Sequence, residues 1–159
     1  MSSKLIMEIK KEKFNIRGTA IIIKRIGNKI LSVHKYTNLF CLAGKYSILD
    51  RMTGESDKGL VTYLALGSDT TAPVATDIKL GTETFRKAIT QRTRTGLIFY
   101  SSTFLISTQA NGTFREMGLY GDDASGSSDS GTLYTHLAIN ETKVLGETIT
   151  VDYNLEILT

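Results

Sequence analysis

The C-terminal segment TITVDYNLEIL constrains the fold of this chain more than any other stretch. Ile149, Val151, Tyr153, Leu155 and Ile157 alternate with Thr148, Thr150, Asp152, Asn154 and Glu156. Strict period two puts one set on each side of a strand, so the segment needs a core on one face and water on the other. Leu133, Thr135, Leu137 and Ile139 repeat the pattern. In Ile98, Tyr100, Phe104 and Ile106 the apolar residues again share one side, with Ser101, Thr103 and Ser107 on the other. Near the N-terminus, the β-branched run Gly18-Thr-Ala-Ile-Ile-Ile-Lys-Arg is followed by Gly27-Asn28 and Lys29-Ile-Leu-Ser-Val-His, which predicts a hairpin closed by a two-residue turn.

One segment departs from this rhythm. Leu39, Leu42, Tyr46, Leu49 and Met52 recur at helical spacing between Asn38 and Gly54, predicting a short helix over about 39–53. Strands separated by turn-rich segments, with one helix, imply an all-β fold: an antiparallel, jelly-roll-like β-sandwich rather than alternating βα units. A chain of 159 residues suits one such domain over 18–159, preceded by a basic arm over 1–17. Gly121-Asp-Asp-Ala-Ser-Gly-Ser-Ser-Asp-Ser-Gly131 reads as a solvated loop between two strands.

Charge is polarised along the chain. Before Leu60 there are twelve Lys/Arg and five Asp/Glu, and from Leu60 onward seven and eleven, giving net charges of +7 and −4. Such polarity suits a basic face meeting an acidic partner, or copies meeting head to tail. Lys4, Lys10, Lys11, Lys13 and Arg17 make the arm a candidate anchor. Nucleic acid is a weaker partner, because glutamates interrupt these lysines and no aromatic residues interleave with them. The opening apolar run is too short for a signal peptide, and no stretch reaches the length of a membrane-spanning helix. The chain is therefore expected to be made and folded in a cytoplasm.

Reactive groups are sparse. Cys41, the single cysteine, sits in an apolar run and reads as a buried structural thiol. His34 and His136 lie in strands without zinc-ligand spacing, and there is neither a phosphate-binding glycine loop nor a nucleophile elbow, so no cofactor and no catalysis are expected. Asp122, Asp123 and Asp129 offer oxygen ligands for calcium, but not at the spacing of a calcium-binding helix-loop-helix hand. Tyr120 with Asp122 and Asp123 is the set a host glycan would use. In the strand around Thr113-Phe-Arg-Glu-Met-Gly-Leu-Tyr, alternation places Phe114, Glu116 and Gly118 on one side and Arg115, Met117 and Leu119 on the other, so one charged side chain leans inward. A covered carboxylate needs a cation or backbone donors, and Arg86 is the expected partner of Glu116 in a structural ion pair.

The stretch LALGSDTTAPVATDIKLGTETFRKAIT, then an apolar strand, then NGTFREMGLYGD, resembles the attachment-type domain of tail-collar fibre proteins of tailed bacteriophages. The likeness rests on Leu66-Gly67, Pro73, Leu80, Glu83, Arg86, Phe114, Arg115, Glu116, Gly118 and Leu119, and on the preceding NLFCLAGKYSILDRMTG, so it covers about 38–159. It implies a non-enzymatic virion protein, a tail or fibre-attachment component that docks in repeated copies on a symmetric neighbour. Capsid decoration is the alternative in that class, and a glycan-binding module lies outside it. In this reading the loop with the only proline is a shaped connector: Asp69, Thr70, Thr71 and Pro73 form a docking loop stiffened by the fixed φ of Pro73 and by local side-chain bonds.

Overall fold

A computed structural model describes residues 15–55 and 57–159. The elements are β1 (Asn15–Ile26), β2 (Lys29–Phe40), α1 (Leu42–Met52), β3 (Val61–Gly67), β4 (Glu83–Ala88), β5 (Gln91–Thr95), β6 (Ile98–Leu105), β7 (Gly112–Gly121), β8 (Thr132–Lys143) and β9 (Thr148–Leu158). The fold is all-β and antiparallel with one short helix, as expected. Nine strands form one curled sheet in the order β4-β3-β7-β8-β2-β1-β9-β6-β5. No helix among the described residues is long and apolar enough to cross a membrane.

Two features show how the sheet closes on itself. β2 joins β8 through only two residue pairs, Leu39 with His136 and Phe40 with Thr135, so the sheet folds over there. On the opposite side, β4 and β5 are the two ends of the strand order yet are joined by Ile89 and Thr90 alone. Ile89 donates its N–H to the Thr62 carbonyl and Thr90 to the Ser102 carbonyl, which brings the two halves together. Ala20, Ile22, Leu64, Leu66, Leu105, Met117, Leu119, Leu137, Ile149, Val151 and Tyr153 fill the space between them. The alternation of β9 is thus seated on the core as expected, and the hairpin turn falls at Gly27-Asn28, where Gly27 takes φ 51°.

Four points correct or extend these expectations. First, the arm ends earlier: β1 begins at Asn15, and Arg17 sits opposite Glu156 in the β1–β9 ladder with an ion pair at 2.5 Å, so it belongs to the sheet. Lys4, Lys10, Lys11 and Lys13 lie outside the described residues. Second, α1 forms where expected, over Leu42–Met52, and its apolar stripe faces outward: Tyr46, Leu49 and Met52 are exposed, while Gly44 and Ser47 face the sheet. The reason is distance. A Cβ on Gly44 would lie 2.8 Å from Tyr134 Cα, so the helix approaches β8 too closely for large side chains.

Third, β6 turns its polar side inward, with Ser101 and Thr103 buried and Phe104 and Ile106 exposed. Its register on β9 pairs Ser101 with Tyr153 and Thr103 with Val151. Pairs directly opposite share a face, so the stronger β9 pattern dictates the face of β6. Fourth, a register shift between Phe114 and Glu116 separates residues expected on one side: Phe114 joins the main core, whereas Glu116 points to the outer face.

Candidate functional site

That outer face is not left to solvent. Cys41, Ala65, Leu80, Tyr120 and Leu133 form a second apolar cluster on it, so the middle strands β3, β7 and β8 are buried on both sides. The cover is the segment 68–82 between β3 and β4, together with α1. This is the loop that carries Pro73.

Buried charge holds the loop down. Glu116 is 1% exposed, and its carboxylate accepts the N–H groups of Thr82 at 2.8 Å, Gly81 at 2.9 Å and Asp69 at 3.3 Å. Its Oε2 also faces His136 Nε2 at 2.9 Å, and His136 Nδ1 faces Asp77 Oδ2 at 2.7 Å. An imidazolium donates to both carboxylates; a neutral ring leaves one nitrogen facing a carboxylate with no proton between them. The chain Glu116–His136–Asp77 therefore runs from the sheet into the middle of the loop. Asp77 Oδ2 in turn accepts the Val74 N–H at 2.8 Å, closing the turn after Pro73.

Close approach makes two glycines necessary. A Cβ on Gly67 would lie 2.3 Å from Glu116 Oε1 and 2.6 Å from the Thr82 carbonyl, and one on Gly81 would overlap the Asp69 carboxylate at 2.0 Å. Asp69 accepts the backbone N–H and the hydroxyl of Thr71, both at 2.9 Å, and these bonds hold its carboxyl below the usual carboxylate range. The Ala75 carbonyl accepts the Leu42 N–H at 2.8 Å, which supplies a partner to a helix start that has no side-chain cap. Loop and helix thus form one surface, from which Val74, Ile78, Tyr46, Leu49 and Met52 project.

A second clamp binds the neighbouring loop 121–131. Arg86 donates to Glu83 through Nε and Nη2, both at 2.7 Å, and through Nη1 to the Ser130 carbonyl at 2.7 Å. Its guanidinium stacks 4.1 Å above the Tyr120 ring. The expected Arg86–Glu116 pair is therefore replaced by Arg86–Glu83, with Glu116 served by His136 and backbone donors. Residues three apart in a regular strand face opposite ways; the register shift at Leu66/Gly67, where Glu83 pairs with Gly67 and Phe85 with Leu66, turns Glu83 and Arg86 to the same side.

Asp122 is a third node. It sits at φ 61° and accepts from Ser47 Oγ at 2.7 Å, Tyr134 Oη at 2.7 Å and the Gly59 N–H at 3.0 Å, tying α1 to the β7–β8 connection. Burial disfavours its charge, but these donors together with Thr132 outweigh burial and hold the carboxyl below its ordinary range. Glu141 is a fourth, facing His34 Nδ1 at 2.5 Å and accepting from Tyr36 Oη at 2.8 Å, across the seam between β2 and β8. Burial and that bond push the Tyr36 hydroxyl up to about 12.

These positions decide the other sequence candidates. Tyr120 is fully buried with its hydroxyl accepting the Leu80 N–H at 2.9 Å, and the Asp122 side chain is enclosed, so the glycan set reduces to Asp123. Asp129 pairs with Lys79 at 3.1 Å, and no group of three or more His, Cys, Asp or Glu converges on a metal position among the described residues. Cys41 is fully buried, which pushes its thiol up to about 12. Sequence reasoning missed Glu83, Asp77 and Glu141 as structural charges, and His136 as the link between Glu116 and Asp77. The available signal was Glu83-x-x-Arg86, read only as part of a motif.

A cavity of about 570 Å³ opens elsewhere, between Ile16, Phe40, Leu60, Leu97, Phe99 and Leu155. Three polar side chains along it have partners: Arg92 donates to the Val61 carbonyl at 2.6 Å, Arg94 to the Gly96 carbonyl at 2.7 Å, and Tyr134 to Asp122. Comparison with known proteins finds no matching family model, no matching curated protein and no matching solved structure.

Proposed function

We propose that this chain is a structural protein of a tailed-phage virion, a tail or fibre-attachment component that docks in repeated copies on a symmetric neighbour through the surface made by loop 68–82 and α1. One observation carries the reading. The residues on which the phage resemblance rests are scattered over more than fifty positions, yet Gly67, Leu80, Glu116 and Gly118 converge on the underside of loop 68–82, and Glu83 and Arg86 clamp the adjacent loop 121–131. The first four serve to hold loop 68–82 against the sheet. A loop fixed in this way loses little conformational freedom when a neighbour meets it, so more of the contact energy appears as affinity. Its carboxylates, Asp69 and Asp77, are engaged with backbone N–H groups, the Thr71 hydroxyl and His136, which suits a part that supplies shape. The basic arm, outside the described residues, is the proposed anchor, and other virion proteins, including further copies of this chain, are the proposed partners.

The test is incorporation into particles. Val74→Glu with Ile78→Glu changes two exposed side chains and should leave the unfolding midpoint of the free protein unchanged. The double variant is expected to be lost from purified particles. Incorporation at the wild-type level would remove the loop from the docking surface.

A further inference from the structure

Among the described residues, the main-chain edge of β2 is open. β2 pairs along its length with β1, but on its other side only Leu39 and Phe40 meet a strand. Lys29 to Asn38, a run of about 33 Å at the usual rise per residue, therefore presents an edge that no strand among the described residues pairs with. Across the seam β8 is capped by side chains: the Lys24 ammonium donates to the Thr142 carbonyl, and Tyr36 Oη receives the Asn140 N–H at 3.4 Å. His34 and Tyr36 of β2 reach across to Glu141, but no side chain among the described residues bonds the main chain of Lys29–Asn38.

Side chains along this edge narrow the choice of occupant. Ile26, Ile30, Leu31 and Val33 are 41–55% exposed at the hairpin end. Residues 15–40 hold five Lys/Arg and no Asp or Glu. Arg17 and Lys24 have acidic partners elsewhere, whereas Lys29 and Lys35 are exposed beside the open edge. Lysines on an edge strand deter pairing with an identical basic strand. The same lysines attract an acidic one.

We propose that β2 is a strand-addition site that takes an extended acidic segment of another polypeptide, with main-chain bonds along Lys29–Asn38 and carboxylates opposite Lys29 and Lys35. Such addition draws its affinity from backbone pairing and its selectivity from alternate side chains. The inference holds whichever neighbour loop 68–82 meets.

The full chain is titrated with a ten-residue peptide alternating valine and glutamate, followed by calorimetry and by amide exchange of β2. Saturable binding is expected, with slowed exchange across Lys29–Asn38 and an affinity at least about tenfold weaker in high salt, where charge attraction is screened. N-methylation of four consecutive central residues should abolish binding, since it removes donors on both peptide edges. Lys29→Glu with Lys35→Glu should transfer the preference to the valine–lysine peptide. The proposal is overturned if the N-methylated peptide binds equally well, if the lysine peptide binds wild type as tightly as the acidic one, or if β2 amides are already protected in the free chain by a second copy.

Discussion

Replacing Glu116 probes the loop anchor directly, because two substitutions should separate its charge from its shape. Glu116→Ala removes the acceptor of three backbone N–H groups and of one imidazole nitrogen. Each buried donor left without a partner costs about 1–3 kcal/mol. Loss of one member of a buried charge pair typically costs about 3–5 kcal/mol in all, since water entry and loop movement recover part of the sum. Glu116→Gln keeps a carbonyl where Oε1 accepts from Asp69 and Thr82, and places an amide near Gly81 and His136. The imidazole can then accept at Nε2 while Nδ1 still donates to Asp77, so only the Gly81 N–H is stranded, at about 1–2 kcal/mol. Urea unfolding followed by circular dichroism reads both. With a slope of about 2 kcal/mol per molar, the alanine variant should shift the midpoint by about 2 M and the glutamine variant by about 0.5–1 M. Amide exchange at Gly81 and Thr82 should accelerate in the alanine variant before global unfolding. Equal midpoints for the two variants, or unchanged protection of those amides in Glu116→Ala, would refute the reasoning.

Arg86→Lys loses the two-point contact with Glu83 and the stacking on Tyr120, and should destabilise by about 2–4 kcal/mol with faster exchange in loop 121–131; wild-type stability would show that the clamp contributes nothing. Gly118→Ala places a Cβ 2.7 Å from the Thr135 carbonyl and should cost about 1–3 kcal/mol, whereas Gly126→Ala, in open space, should be neutral within about 0.5 kcal/mol by the same denaturation assay. The Asp122 carboxyl sits below its ordinary range in the fold, so the unfolded chain takes up the proton first as pH falls. Its contribution is complete above about pH 4 and is lost as pH drops through the depressed folded value, so melting temperature should fall more steeply below pH 4 in wild type than in Asp122→Asn. Tyr46→Ser, Leu49→Ser and Met52→Ser should each leave stability within about 0.5 kcal/mol, because the helix presents these residues to solvent; a loss of 2 kcal/mol at any of them would place it in the core.

The strands were legible wherever one face meets the core and the other meets water. β9 and the β1–β2 hairpin announce themselves through alternation and a turn glycine. Alternation separates the two sides of β6, but the side that meets the core is imposed by the partner strand, which is a property of the pair and not of the segment. α1 was found through a genuine stripe of Leu42, Tyr46, Leu49 and Met52, but periodicity does not say which way a stripe points, and Gly44 held the answer in its missing side chain. The inward lean of Glu116 was legible from its neighbours. Its partners were not, because the irregularities at Arg115 and Thr84 that reorient Glu116 and Glu83 leave no mark in composition. The two-sided burial of β7 and β8 likewise depends on a loop fifteen residues long folding back over them.

The proposed role stands or falls on where the protein is found. Cryo-microscopy of purified intact particles encoded with this chain should place repeated copies at the tail or fibre attachment, with loop 68–82 and α1 against a neighbouring subunit. Particles that lack the chain would contradict a virion role, and density confined to the capsid lattice would contradict the tail assignment.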